Sequence, residues 1–151
     1  MATHEVNIRN KKAKFDYDLI DKYDAGIQLT GAEIKSVRGG KASIAEAYCF
    51  FRGLELWIKG MHISPYEPAS YNNPSSPVRD RKLLLQKKEL EKLKKALNDK
   101  GLTIVPLRVY IGQSGYAKVQ ISLARGKKRF DKRQDLKEKQ DKRAMDRAMK
   151  I

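Results

Sequence analysis

The sequence is poor in the residue types that carry most enzyme and metal chemistry. Its 151 residues include one cysteine, Cys49, and two histidines, His4 and His62. One thiol excludes an internal disulfide and leaves too few ligands for a Cys-rich zinc site, so Cys49 is expected to be a small buried apolar residue. No catalytic triad, phosphate-binding loop or HExxH motif is evident. We therefore predict a protein that is not an enzyme and uses no metal or nucleotide cofactor.

Long apolar runs and balancing acidic residues are also lacking. Residues 1–14 carry scattered charges, which match neither a secretory signal nor a membrane span. This predicts a cytoplasmic protein with no membrane partner. Lys and Arg total 33 against 18 Asp and Glu, a net charge of +15. Such an excess attracts polyanions, so nucleic acid is the predicted partner class.

Hydrophobic periodicity predicts β-structure in the first half of the chain. Apolar residues occupy mostly odd positions from Phe15 to Leu29, which indicates a half-buried strand with a bend near Asp21. A short helix is expected over Ala32–Arg38, between glycines. Ile44–Phe51 and Leu54–Ile63 form a predicted hairpin around Arg52-Gly53. The segment from Pro65 to Pro77, rich in Pro, Asn and Ser, favours a surface loop.

The second half is predicted to contain one clear helix and another hairpin. Leu90, Leu93 and Leu97 have helical spacing in a Lys/Glu-rich segment, with Gly101 as the expected cap. Leu83 to Leu85 is compatible with strand or helix. The last hairpin pairs Thr103–Tyr110 with Tyr116–Ala124. This order fits a mainly β fold with helices, namely an OB-like Greek-key β-barrel with two or three helices; an SH3-like barrel and a two-layer α+β sandwich also accommodate it.

The C-terminal segment is predicted to be a tail beyond the folded domain. Residues 1–124 form the predicted barrel domain, and residues 125–151 carry 12 Lys and Arg against 5 Asp and Glu. Few apolar residues are available for packing, so the tail is expected to be disordered when free. Acid-to-base pairs four residues apart, such as Asp135 with Lys139, allow it to become helical on RNA. An ordinary solvated charged tail is the alternative.

Several segments resemble the SsrA-binding protein (small protein B) family. They include NKKAKFDY from Asn10, AGIQLTGAEIKSVRGGKASI from Ala25, GMHISPYE from Gly60 and LARGKKRFDKRQDLKEK from Leu123. The resemblance extends from Asn10 to about Lys150, in family order. Four positions differ from the residues common in the family: Phe15, Ala32, Gln86 and Gln134.

The resemblance implies an RNA-binding adaptor of trans-translation. The barrel would hold the tRNA-like part of transfer-messenger RNA, and the tail would enter the decoding centre and message channel of the stalled ribosome. Elongation factor Tu and alanyl-tRNA synthetase would be indirect partners through the RNA. A general OB-type or ribosomal RNA-binding protein is the main alternative. A hydrolase that uses Glu33 and His62 as acid and base is a weaker one.

Candidate RNA contacts cluster in the segments that carry the resemblance. Lys35 and Arg38 can neutralise phosphates, and the resemblance places Glu33 at the RNA face, although a solvated helix carboxylate is the alternative. His62 can stack on an unpaired base or serve as a barrel histidine. The predicted RNA-binding residues are Lys11, Lys12, Tyr17, Glu33, Lys35, Ser36, Arg38, Lys41, His62, Arg79, Arg81 and Lys82.

The tail carries its own candidate site for the ribosome. Phe130 is an aromatic residue in a charged segment, and stacking on a decoding base would contribute about 1–3 kcal/mol. The predicted ribosome-binding residues are Lys127, Lys128, Phe130, Asp131, Lys132, Arg133, Lys137 and Lys139.

Overall fold

The computed structural model describes residues 6–65, 76–127, 140 and 142–143. Residues 6–65 and 76–127 are mainly β, with nine strands and three helices, and residues 140 and 142–143 are helical. No helix in them is long and apolar enough to cross a membrane. The elements are β1 (Asn7–Arg9), α1 (Ala13–Asp16), β2 (Tyr17–Ile27), α2 (Gly31–Arg38), β3 (Ala42–Ser43), β4 (Tyr48–Arg52), β5 (Glu55–Lys59), β6 (His62–Ile63), β7 (Arg81–Leu84), α3 (Lys87–Ala96), β8 (Leu102–Ile111) and β9 (Ala117–Gly126).

Six strands of the main sheet form a closed ring. Antiparallel pairing runs from β8 through β4, β5, β7 and β2 to β9, and β9 pairs back with β8. β1 adds to the free edge of β8, while β3 and β6 form a separate two-stranded sheet. The register of β2 against β9 shifts between Leu19 and Asp21, where the sequence predicts a bend. Closure gives the sheet one enclosed apolar interior.

The core lies inside this closed sheet and under α3. Alternate residues of β2 point inward, and Ala25 and Ile27 are buried, as the period-two pattern predicts. Leu93 is the buried residue of α3. Cys49 is buried among apolar side chains, as expected, and burial raises the pKa of its thiol.

Both predicted hairpins are confirmed, and Leu83 and Leu84 of the ambiguous Leu83–Leu85 segment belong to β7. The first hairpin turns at Gly53 and Leu54, one residue later than expected, because Gly53 supplies the positive φ of the turn. β9 continues to Gly126, so a domain boundary at residue 124 would cut the final strand. The predicted loop after Pro65 lies largely outside the described residues.

Three element predictions are wrong in detail. Phe15 belongs to α1 rather than to a strand, because the Asp16 N–H bonds the Lys12 carbonyl in a helical turn. Leu54–Ile63 is not one strand, since Gly60 has φ +83° and separates β5 from β6. α3 ends at Ala96 without help from Gly101, whose N–H instead bonds Asp99 Oδ1 at 2.9 Å.

Candidate nucleic-acid interface

The predicted RNA-binding helix α2 begins with a reciprocal capping box. The Glu33 N–H donates to Thr30 Oγ1 at 3.2 Å, and the Thr30 N–H donates to Glu33 Oε1 at 2.9 Å. These two bonds satisfy backbone donors that would otherwise have no intrahelical acceptor. The Thr-x-x-Glu spacing was the sequence signal for this start, and it indicates a structural role for Glu33 that the RNA-contact interpretation overlooked.

Glu33 also forms the centre of a buried ion cluster. Arg81 donates from Nε to Glu33 Oε2 at 2.7 Å, and Arg79 donates from Nε to the same oxygen at 3.2 Å. Arg81 is fully buried and bonds the carbonyl of Met61 at 2.7 Å and that of Pro77 at 3.1 Å. The cluster thus joins α2 to β7 and to the backbone on either side of the 66–75 segment.

The expectation that Glu33, Ser36 and Arg81 are surface residues is wrong. They are 4%, 2% and 0% exposed, respectively. For Glu33 and Arg81 the reason is pairing: a buried carboxylate and a buried guanidinium that hydrogen-bond each other compensate their charges, and Arg79 shares the same carboxylate. Pairing does not explain Ser36, whose buried Oγ has no hydrogen-bond partner among the described residues. Glu33 and Arg81 therefore affect the exposed side chains of α2 only indirectly, because they fix the position of that helix.

The pKa of the Glu33 carboxyl reflects both its burial and its hydrogen-bond donors. Burial acts to raise the pKa of the carboxyl, but hydrogen bonds from Arg79, the Thr30 N–H and Arg81 favour the ionised form and together outweigh it. The net result is a pKa below its ordinary value of 4.5. The cluster is accordingly ionised at neutral pH.

Exposed cations lie around the C-terminal end of α2. Arg38 Nη2 donates to the Gly115 carbonyl at 3.2 Å, in the turn between β8 and β9, and remains exposed. The Ser64 N–H bonds the Lys41 carbonyl, and His62 is the register partner of Ser43, so the β3–β6 pair brings His62 towards the same region. We call this region the α2 surface; it comprises Lys35, Arg38, Lys41 and His62.

His62 is exposed on this surface. The alternative was a satisfied histidine of the barrel, whereas His62 lies in β6 of the separate two-stranded sheet. Its strand neighbour is Ser43, whereas Trp57 pairs with Phe50 and Lys82 in the main sheet. The imidazole is available to a ligand from solvent.

The other predicted contacts lie on different parts of the molecule. Lys11 and Lys12 are exposed just before α1, and Tyr17 is half-buried opposite Gly126. The Lys127 N–H bonds the Asp16 carbonyl at 2.9 Å, which attaches the start of the tail to the end of α1. Lys82 pairs with Glu55 at 3.3 Å, so its charge is partly compensated.

The remaining tail candidates, from Lys128 to Lys139, lie outside the described residues. No cluster of three or more His, Cys, Asp or Glu side chains suited to a metal ion occurs in the described ranges.

Comparison with known proteins identifies the family. The family model described as SmpB protein matches residues 7–151. The SsrA-binding protein of Phocaeicola vulgatus is 57% identical over 150 residues, covering 99% of each chain, and that of Bacteroides thetaiotaomicron is 54% identical over 150 residues, also covering 99% of each. A chain in the solved structure described as "tmRNA-SmpB: a journey to the center of the bacterial ribosome" is 45% identical, with a TM-score of 0.69, covering 82% of this chain and 86% of that one. By sequence and by fold, the chain belongs to the SmpB family of SsrA-binding proteins.

Proposed function

We propose that this chain binds transfer-messenger RNA and acts with it in trans-translation on the stalled bacterial ribosome. The observation that carries the proposal is the match over almost the full length to relatives named SsrA-binding protein. The likeness to a chain from a structure of tmRNA-SmpB and the bacterial ribosome supports the same partners. The net charge of +15 suits a protein that must approach two polyanions.

In this proposal the chain is an RNA-binding adaptor in the cytoplasm and not an enzyme. Aminoacylation belongs to alanyl-tRNA synthetase, delivery involves elongation factor Tu, and peptide transfer belongs to the ribosome. The adaptor contributes shape and charge that hold the RNA in place.

The closed sheet serves as an OB-like Greek-key barrel in this proposal. Ring closure and the position of α3 between β7 and β8 support that architecture. The two-stranded β3–β6 sheet is an addition to the five-stranded barrel pattern. It places His62 beside α2.

The α2 surface holds the tRNA-like part of the RNA. Lys35, Arg38 and Lys41 neutralise phosphates, and His62 meets a base or the sugar. Lys11, Lys12, Tyr17 and Lys82 add contacts outside this surface. Glu33, Ser36 and Arg81 contribute by positioning α2, in keeping with their burial.

Residues 125–151, the first two of which complete β9, form a separate functional part that becomes ordered in the decoding centre and message channel. Phe130 stacks on a decoding base, and the flanking tail cations line the channel. The charge of 12 basic against 5 acidic residues supports this assignment.

Competition binding tests the RNA assignment. Labelled transfer-messenger RNA should remain bound in an excess of unrelated RNA at physiological salt, because non-specific affinity rests mostly on counterion release and falls as salt rises. Lys35→Gln with Arg38→Gln should weaken this binding, whereas Lys88→Gln with Lys92→Gln, an equal loss of charge on exposed α3 positions, should not. If unrelated RNA displaced the labelled transfer-messenger RNA as effectively as unlabelled transfer-messenger RNA does, the proposal would be contradicted.

A further inference from the structure

An apolar groove lies between α3 and the β4–β5 hairpin, and none of the residues that line it is among the predicted RNA contacts. Its volume is about 470 Å³, and its apolar lining comes from Phe51, Leu54 and Leu90. Phe51 and Leu90 are half-buried and pack against the core, whereas Leu54 at the hairpin turn is 74% exposed. Contiguous apolar surface with a polar rim is typical of a site that a partner covers.

The rim of the groove is basic. Four charged side chains of α3 line it, namely Lys87, Glu91, Lys94 and Lys95, and all four are exposed. Their spacing of four, seven and eight positions from the first lysine places them on one face of the helix. None of them forms an ion pair among the described residues. Three positive charges against one negative therefore leave an uncompensated net charge of +2 beside the apolar surface.

Contacts within the fold hold the two walls of the groove together. Lys94 Nζ donates to the Gly53 carbonyl at 2.8 Å and so joins α3 to the turn of the hairpin. At the start of α3 the Gln86 N–H donates to Glu89 Oε1 at 3.2 Å, and Leu93 anchors the helix in the core with no exposed surface. A groove that is formed before its ligand arrives loses less conformational entropy on binding.

The length and the charge of the groove select its occupant. From Lys87 to Lys95 the helix rises about 12 Å at 1.5 Å per residue, which matches about two turns of a helix laid alongside it. The tail of this chain carries 12 Lys and Arg against 5 Asp and Glu, and a second copy brings a charge of +15, so the basic rim would repel both. RNA phosphates would gain nothing from the apolar surface and would also meet Glu91.

We propose that this groove is a docking site for an acidic amphipathic helix of another protein. Apolar side chains on one face of that helix cover Leu54 and fill the space beside Phe51 and Leu90, which provides most of the affinity. Asp and Glu residues next to that face pair with Lys87 and Lys95, which excludes basic segments. The groove shares no residue with the α2 surface, so its occupation leaves the proposed RNA contacts there open.

Binding of a designed peptide to the full chain tests the apolar part of the groove. The probe is a fluorescent peptide of about 15 residues, cross-linked into a helix, with Leu at i, i+4 and i+7 and Glu on both sides of that face. Fluorescence anisotropy measures its affinity at physiological salt. Leu54→Ser should weaken binding by about tenfold, since the apolar surface of one leucine is no longer buried. Val78→Ser, at a position that is 53% exposed outside the groove, is the matched control and should bind as the wild type does.

Charge reversal tests the rim. Lys87→Glu with Lys95→Glu should weaken the acidic peptide by about tenfold and strengthen binding of the same peptide with Lys in place of Glu. Lys22→Glu with Lys59→Glu makes an equal change of charge at exposed positions outside the groove and should leave the preference for the acidic peptide intact. All of these positions are on the surface, so the variants should remain folded. Peptide affinities that the groove variants share with their controls would overturn the proposal.

Cross-linking in cells tests whether a natural partner uses the groove. A photoreactive amino acid in place of Leu54 should capture a protein segment with apolar residues at helical spacing and acidic residues beside them, and Lys87→Glu with Lys95→Glu should remove that product. Capture of RNA alone, of a second copy or of no protein would overturn the proposal. The inference does not rest on the proposed function, so Leu54→Ser should keep wild-type affinity for transfer-messenger RNA. Loss of that affinity would make the groove an RNA contact and would also overturn it.

Discussion

Glu33 shows how a charged residue in an RNA-binding motif can act from the interior. Its carboxylate receives hydrogen bonds from two arginines and from the N-cap of its own helix. Because Arg81 has no access to solvent, its charge depends on Glu33 for compensation. Loss of RNA binding on substitution of Glu33 would therefore accompany loss of local structure.

Replacing Glu33 by Gln should lower the free energy of unfolding by about 3–5 kcal/mol, the range for removing one partner of a buried ion pair. The pKa of the carboxyl is lowered in the folded state, so its stabilisation is complete above about 4.5 and is lost as pH falls through the folded-state pKa. Urea unfolding at several acidic pH values should show a steeper loss for the wild type than for the variant. Glu91→Gln, on the exposed side of α3, is the control; parallel pH curves for wild type and Glu33→Gln would refute the role.

Gly60 provides a second prediction, on backbone conformation. A Cβ at this position would lie 2.7 Å from the Glu46 carbonyl oxygen, and φ is +83°. Gly40 has φ +73° but open space around its Cα. Gly40→Ala should therefore cost about 1 kcal/mol, and Gly60→Ala at least about 2 kcal/mol, measured by chemical unfolding. Equal costs would mean that the approach of the Glu46 carbonyl is easily relaxed.

α2 is connected to the rest of the fold by a few short hydrogen-bonded links. Its first turn is capped by Thr30, its last turn reaches Gly115 through Arg38, and its buried carboxylate reaches β7. The helix is short, so these links hold it more than helix propensity does. These links also fix the positions of the exposed cations on the α2 surface.

Removal of the cap should loosen this helix measurably. Thr30→Ala should lower stability by about 1 kcal/mol, because the Glu33 N–H loses its acceptor, while Thr30→Ser retains the hydroxyl and should stay near the wild type. Chemical unfolding of the three proteins provides the measurement. An alanine variant as stable as the serine variant would show that another group caps α2.

At the scale of the whole chain, the proposed division is between the closed sheet and the tail. β9 ends at Gly126, and the Lys127 N–H makes the last backbone bond to the folded part in the ranges the structure describes. A protein that ends at Arg129 thus keeps the core and the α2 surface.

Such a truncated protein should bind transfer-messenger RNA almost as the full chain does, yet fail to support tagging on stalled ribosomes. Electrophoretic or equilibrium binding measures the first property, and a reconstituted tagging reaction measures the second. Asp131→Ala with Lys132→Ala and Arg133→Ala in the full chain should reproduce much of the tagging loss. Normal tagging by the truncated protein, or loss of its RNA affinity, would contradict the division.

Local features of the sequence were sufficient for several conclusions. The charge excess, the period-two pattern of β2, the leucine spacing of α3 and the glycine-marked hairpins are all properties of neighbouring residues, so they could be interpreted without a structure. The resemblance to the SsrA-binding proteins rests likewise on contiguous motifs, and it led to the correct family.

Other features depended on which distant segments meet. Glu33 and Arg81 are 48 residues apart, and only the packing of α2 near β7 buries them together. Arg9 becomes a neighbour of Arg108 through the β1–β8 register, and Lys22 joins them through the pairing of β2 with β9, which itself pairs with β8. Strand pairing between remote segments is selected by the closure of the whole sheet around one core, and no local period of the sequence specifies it. The fold therefore decided which charges became an internal cluster and which stayed exposed to solvent.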